Sequence, residues 1–88
     1  MLESTVEEAF TKKVKRLGGI ALKFIPLAFA GFPDRMAFLP GGRLILCELK
    51  RPGEPPRKLQ LSRHRLLRSL GFTVIVIDSL EAVENWVP

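Results

Sequence analysis

The run Leu44-Ile45-Leu46-Cys47 constrains this chain more than any other segment. It is apolar at every position, so a β-strand through it needs cover on both faces and belongs in the middle of a sheet. Just before it, Pro40-Gly41-Gly42 is a compact turn. Residues 35–39 and 43–50 therefore read as the two arms of a hairpin.

The neighbouring segments supply the layers that such a strand requires. Ser4 followed by Glu7 has the spacing of a capping box. The helix it opens carries Val6, Phe10, Val14 and Leu17 at helical spacing, with Lys12, Lys13, Lys15 and Arg16 left in water. Gly18-Gly19 ends that helix, and residues 20–25 form a first strand stopped by Pro26. A loop over 28–33 leads to Pro33-Asp34. Residues 51–56, with Pro52, Gly53, Pro55 and Pro56, form a stiff loop before a second helix over 57–70. Leu59, Leu66, Leu67 and Leu70 are its expected buried stripe, and Gly71 ends it. Residues 73–77 form a fourth strand, parallel to the third through a right-handed crossover. Asp78-Ser79 caps a short last helix that runs to Trp86, with Glu81 completing the pattern. The fold class is α/β: a single domain over 1–88, in the order αβββαβα, with a mixed four-stranded sheet flanked by helices and no internal repeat.

A chain of 88 residues buries only roughly 60% of its unfolded surface, so its core is marginal on its own. Cys47 is the sole cysteine, which excludes an internal disulfide, and no Cys/His cluster points to structural zinc. Association with a second copy is the remaining remedy, so a homodimer is expected. The net charge of +5 favours a polyanionic partner, nucleic acid before an anionic membrane surface. The apolar runs are too short to cross a bilayer, so no membrane association is expected. The N-terminus lacks a signal peptide's layout, which points to the cytoplasm. There is no tyrosine, and no aromatic residues interleave the basic stretch, which argues against a stacking-based single-strand binder.

Strand alternation puts Glu48 and Lys50 on one face at the third strand's C-terminal end, where open α/β sheets carry their sites. The hairpin brings Asp34 back opposite residue 48. Two carboxylates and a lysine are what a Mg²⁺-dependent phosphodiesterase needs: the acids hold a hard cation, and the lysine offsets charge on phosphate or orients a water. Asp34 could instead be an ordinary turn aspartate. Glu48 follows four apolar residues without a break and is costly there unless a cation or hydrogen bonds compensate it. The Leu49 carbonyl offers one more oxygen, and Lys50 could merely neutralise Glu48. Glu7 is explained by its cap, yet could equally face the metal through a water. Gln60, on the first turn of the second helix, is either solvated or bonded to a phosphate or a metal-bound water. Arg57, Gln60, His64 and Arg68 recur at spacings of three and four. With Lys58, Arg63 and Arg65 they form either a solvated face or a footprint for backbone phosphates.

Jointly these residues resemble the virus-type replication-repair nuclease (VRR-NUC) domain, a restriction-endonuclease-like branch of the PD-(D/E)xK superfamily. The resemblance runs from Glu7 to Glu81. It rests on Glu7, Leu17-Gly18-Gly19, Lys23-Phe24, Gly31 with Pro33-Asp34-Arg35, Pro40-Gly41-Gly42, Glu48-Leu49-Lys50, Gln60 and Leu70-Gly71-Phe72. It implies DNA phosphodiester cleavage with Mg²⁺ or Mn²⁺ and no small-molecule cofactor. Asp34 and Glu48 would bind the metal, Lys50 would assist the nucleophile, and Glu7 and Gln60 would support the site. Lys23 and Arg35 would join the DNA contacts. Stand-alone members, often from phages, look like homodimeric Holliday-junction resolvases, which implies branched DNA in a bacterial or phage-infected cell. Larger members append the domain to DNA-repair proteins. The proline-rich segment 52–56 departs from the pattern and bears on DNA contacts rather than chemistry. The competing expectations are a basic, non-catalytic nucleic-acid-binding module on the same fold and a protein-interaction domain.

Overall fold

In the computed structural model, which describes residues 2–88, α1 (Glu3–Arg16) leads into β1 (Ile20–Lys23), β2 (Arg35–Leu39) and β3 (Arg43–Leu49). Then follow α2 (Lys58–Ser69), β4 (Thr73–Ile77) and α3 (Leu80–Asn85). One mixed sheet has the strand order β1-β2-β3-β4, antiparallel except for the parallel β3–β4 pair. The αβββαβα order and the interior position of β3 are as the sequence implies. The hairpin turn sets the register: Leu39 pairs with Arg43 and Arg35 with Cys47. Asp34, one residue before β2, therefore returns to the level of Glu48.

One face of the sheet carries the core. Ala37, Leu39, Ile45, Cys47, Leu49 and Ile77 pack with Val6, Phe10 and Val14 of α1 and Val83 of α3. Burial pushes the Cys47 thiol far above its usual range, leaving it an inert apolar filler. Two local features hold this layer. A Cβ on Gly19 would lie 2.3 Å from the Phe38 carbonyl oxygen, so only glycine lets the chain leave α1 this close to β2. The Lys13 ammonium donates to the carbonyls of Val83 and Glu84, both at 2.7 Å, and to that of Trp86. It thereby caps the carbonyl end of α3 and ties that helix to α1. At the other end of α3, Ser79 Oγ accepts the Ala82 N–H at 3.0 Å, as the capping pattern implies.

Two local expectations are corrected. Ser4 does not cap α1, because the helix already starts at Glu3, with Leu2 in the cap position and no side-chain cap bond. The leucines of α2 do not form its buried stripe either. Leu59, Leu66 and Leu70 are exposed, Leu70 by 64%, whereas His64 is fully buried and Gln60, Arg63 and Leu67 are half-buried. The reason lies in polar partners. The His64 imidazole meets Glu48, and Arg63 Nε donates to the Ala30 carbonyl at 2.9 Å while its guanidinium stacks 4.0 Å above the Phe29 ring. These contacts rotate a polar stripe inward and hold the loop that carries Pro33 and Asp34.

Candidate active site

Buried Pro33 fixes the approach to β2, and the residue after it, Asp34, meets the end of β3 directly. Asp34 Oδ1 accepts the Leu49 N–H at 3.2 Å, which anchors the carboxylate beside Glu48. The Asp34 carbonyl accepts the Phe24 N–H at 3.0 Å, so the segment is held on both flanks. Glu48 projects from the opposite sheet face to Cys47 and Leu49, under α2, with its side chain 3% exposed. Lys50 is buried directly after β3, and its N–H donates to the Ile77 carbonyl at 2.9 Å, continuing the pairing with β4.

The electrostatics of this corner are those of a site short of positive charge. Burial raises the Asp34 pKa; the Leu49 N–H and the Arg35 guanidinium pull it back, and the charges of Glu3 and Glu7 raise it further. Burial and then the Asp34 charge push Glu48 up to about 7, against the pull of Lys50. A cation placed between them would relieve both groups. Among the described residues no three His, Cys, Asp or Glu side chains form a group that could hold a metal. Asp34 and Glu48 offer instead a pair of carboxylates. That suits Mg²⁺, which keeps several waters and takes only one or two protein carboxylates.

No family model matches the chain. A solved structure titled "VRR_NUC domain" superposes with a TM-score of 0.89 at 29% identity, covering 93% of this chain and 89% of that one. A protein of Acyrthosiphon pisum secondary endosymbiont phage 1, titled "Putative nuclease p44", is 44% identical over 77 residues, 88% of this chain and 83% of the relative. The chain belongs to the VRR-NUC family.

Within this VRR-NUC domain the remaining candidates divide. Glu7 is engaged elsewhere: its Oε2 lies 2.9 Å from the Arg35 guanidinium, which is itself buried and also donates to the Asp34 carbonyl at 3.3 Å. Arg35 is thus a strut beneath Asp34, and the expectation that it contacts DNA is corrected. His64 is likewise no phosphate contact, being fully buried against Glu48. Arg68 donates to the Val74 carbonyl at 2.8 Å, which ties α2 to β4. The Gln60 side-chain oxygen accepts the Arg57 N–H at 2.8 Å, so its amide nitrogen is the end left to meet a phosphate or water. Lys23, Arg57 and Lys58 are exposed, and Lys23 pairs in register with Arg35, one residue from Asp34.

Glu3 was not singled out by the sequence patterns. It lies on the first turn of α1, raises the pKa of both Asp34 and Glu48, and borders a cleft of about 410 Å³ shared with Lys50, Arg51 and Arg57. The signal was present: Glu3 precedes Glu7 by one helical repeat, so the two share a face of α1. No helix of the described residues is long and apolar enough to cross a membrane.

Proposed function

We propose that this chain is a Mg²⁺- or Mn²⁺-dependent DNA endonuclease that cuts branched or otherwise distorted duplexes as a homodimer. The observation carrying this is the acid pair. Asp34 is fixed through the Leu49 N–H beside Glu48, whose pKa of about 7 reflects two buried carboxylates with too little positive charge between them. The relative titled as a nuclease supports the reaction class. Asp34, Glu48 and the Leu49 carbonyl are the groups that would hold the ion. When bound, the cation offsets charge on the phosphate and acidifies water. Lys50, tied to β4 through its backbone N–H and lining the same cleft, would offset the negative charge that develops on the phosphate oxygens. Glu3 shapes the field at the same cleft, while Glu7 acts on Asp34 through Arg35. Lys23, Arg57 and Lys58 are the exposed cations that would meet flanking phosphates.

The homodimer is supported by the second face of the sheet. Ile20, Leu22 and Phe38 on the β1–β2 half, with Leu66, Leu70 and Phe72 from α2 and its exit, are all at least two-fifths exposed. Exposed apolar side chains of this size on one protein are the kind that mark an interaction site. A second copy would cover these apolar side chains through a self-complementary contact about a two-fold axis. Two copies would present two sites to opposing DNA strands.

A second reading is a non-catalytic DNA-binding module, favoured by the pairing of Glu7 with Arg35, which takes a third carboxylate out of the metal set. One experiment separates the two. Four-way junction, flap, nicked and linear duplex DNA are incubated with the protein in Mg²⁺, in Mn²⁺ and in chelator. Metal-dependent cutting of the junction is expected. Salt-sensitive binding with no cleavage in either metal would leave the binding module, and equal rates on linear duplex would refute the preference for branched DNA.

A further inference from the structure

His64 is the one residue of α2 that is completely buried, and nothing about packing a helix on an apolar sheet calls for an imidazole there. Its Nε2 lies 3.3 Å from Glu48 Oε1, and both side chains are out of water. Its Nδ1 is also buried and has no hydrogen-bond partner among the described residues. These facts select one arrangement of protons. An ionised Glu48 can only accept, so Nε2 must carry the hydrogen. A proton on Nδ1, whether in the other tautomer or in the imidazolium, would bury an N–H with no acceptor, which costs more than a bare acceptor nitrogen.

A glutamate has three free torsions and would otherwise be held only by its strand. We propose that His64 is a positioning residue: its Nε2–H fixes Glu48 Oε1, so that Glu48 offers its other oxygen beside Asp34 to the divalent ion. This rests on the metal-dependent reading above and adds to it a residue that never touches the ion. Partners of this kind, bonded to a ligating side chain from behind, typically change metal affinity by about 10–100-fold when removed. The orientation of α2 follows from the same contact, since the helix turns a histidine rather than a leucine toward the sheet.

The test measures Mn²⁺ binding directly, from the loss of the free-ion paramagnetic resonance signal, on wild type, His64→Leu and His64→Gln, with cleavage recorded at limiting and saturating metal. His64→Leu keeps a buried side chain of comparable size but removes the donor, and its Mn²⁺ dissociation constant should rise about 10–100-fold. Cleavage should fall most at limiting metal and recover when metal saturates. His64→Gln places an amide N–H near the former Nε2 and should bind within a few-fold of wild type. A folded His64→Leu with wild-type affinity overturns the proposal, as does a His64→Gln no better than His64→Leu. Should His64→Leu not fold, the nitrogen resonances of His64 in the wild type decide: a protonated Nε2 with bare Nδ1 is expected, and the opposite tautomer overturns the assignment. A wild type that takes up no Mn²⁺ would instead remove the metal-dependent reading, and this inference with it.

Discussion

Replacing Glu48 by glutamine should make the metal-free protein more stable at alkaline pH while removing its response to metal. The sign follows from linkage. Glu48 titrates near 4.5 when unfolded and at about 7 when folded, so the folded state holds the proton more tightly. The stability associated with that proton is fully present below about pH 4.5 and is lost as pH rises through about 7. Above both values the ionised, buried carboxylate costs about 3 kcal/mol, from 1.36 kcal/mol per pKa unit. Asp34 is shifted in the same direction, whereas His64, whose pKa is lowered, loses stability as pH falls. Comparing Glu48→Gln with wild type at each pH largely cancels both, since glutamine can still accept from His64. Urea unfolding in chelator, followed by the fluorescence of Trp86 against Phe10, reads the difference. At pH 8.5 the variant should be more stable by about 3 kcal/mol, a shift of more than about 10 °C in Tm for a domain of this size. At pH 5 the gap should shrink to about 1 kcal/mol or less. Saturating Mg²⁺ should raise the wild type and leave the variant unmoved. A variant no more stable than wild type at pH 8.5 would show that Glu48 carries no such burden, and the electrostatic case for a cation there would go with it.

Three further outcomes test the frame around the site. Gly19→Ala drives a methyl into the Phe38 carbonyl and should cost about 3 kcal/mol or fail to fold, as chemical unfolding would show. Lys13→Met removes the donor that closes α3 and should lower stability by about 2 kcal/mol without changing metal binding. Leu22→Glu places a charge in the exposed apolar face and should convert a dimer to a folded monomer by light scattering. A dimer that persists would locate the subunit contact elsewhere.

The hairpin was legible in the sequence because its determinants are local. Pro40-Gly41-Gly42 fixes the turn, and the register that follows brings Asp34 level with Glu48 without help from the rest of the molecule. The central strand was legible for a related reason, since an apolar run leaves no solvent-facing side. What could not be read were contacts between elements distant in sequence. The pairing of Glu7 with Arg35 joins α1 to β2, and no spacing pattern records it. The face of α2 misled because an apolar stripe says only that something apolar will cover it. Here the leucines remain outside, while the inward stripe is set by Glu48 needing a donor and the Asp34 loop needing Arg63. Ser4 and Glu7 have capping spacing, yet α1 starts two residues earlier than a Ser4 cap requires and leaves Ser4 within its first turn. That earlier start is also what carries Glu3 to the cleft.

The most direct measurement of the central claim is cleavage by Asp34→Ala/Glu48→Ala in Mg²⁺, with circular dichroism and thermal melting recorded on the same preparation. A protein that keeps its fold by circular dichroism and still melts cooperatively, yet leaves junction DNA uncut, is expected. A folded double variant that still cuts at the wild-type rate would contradict it.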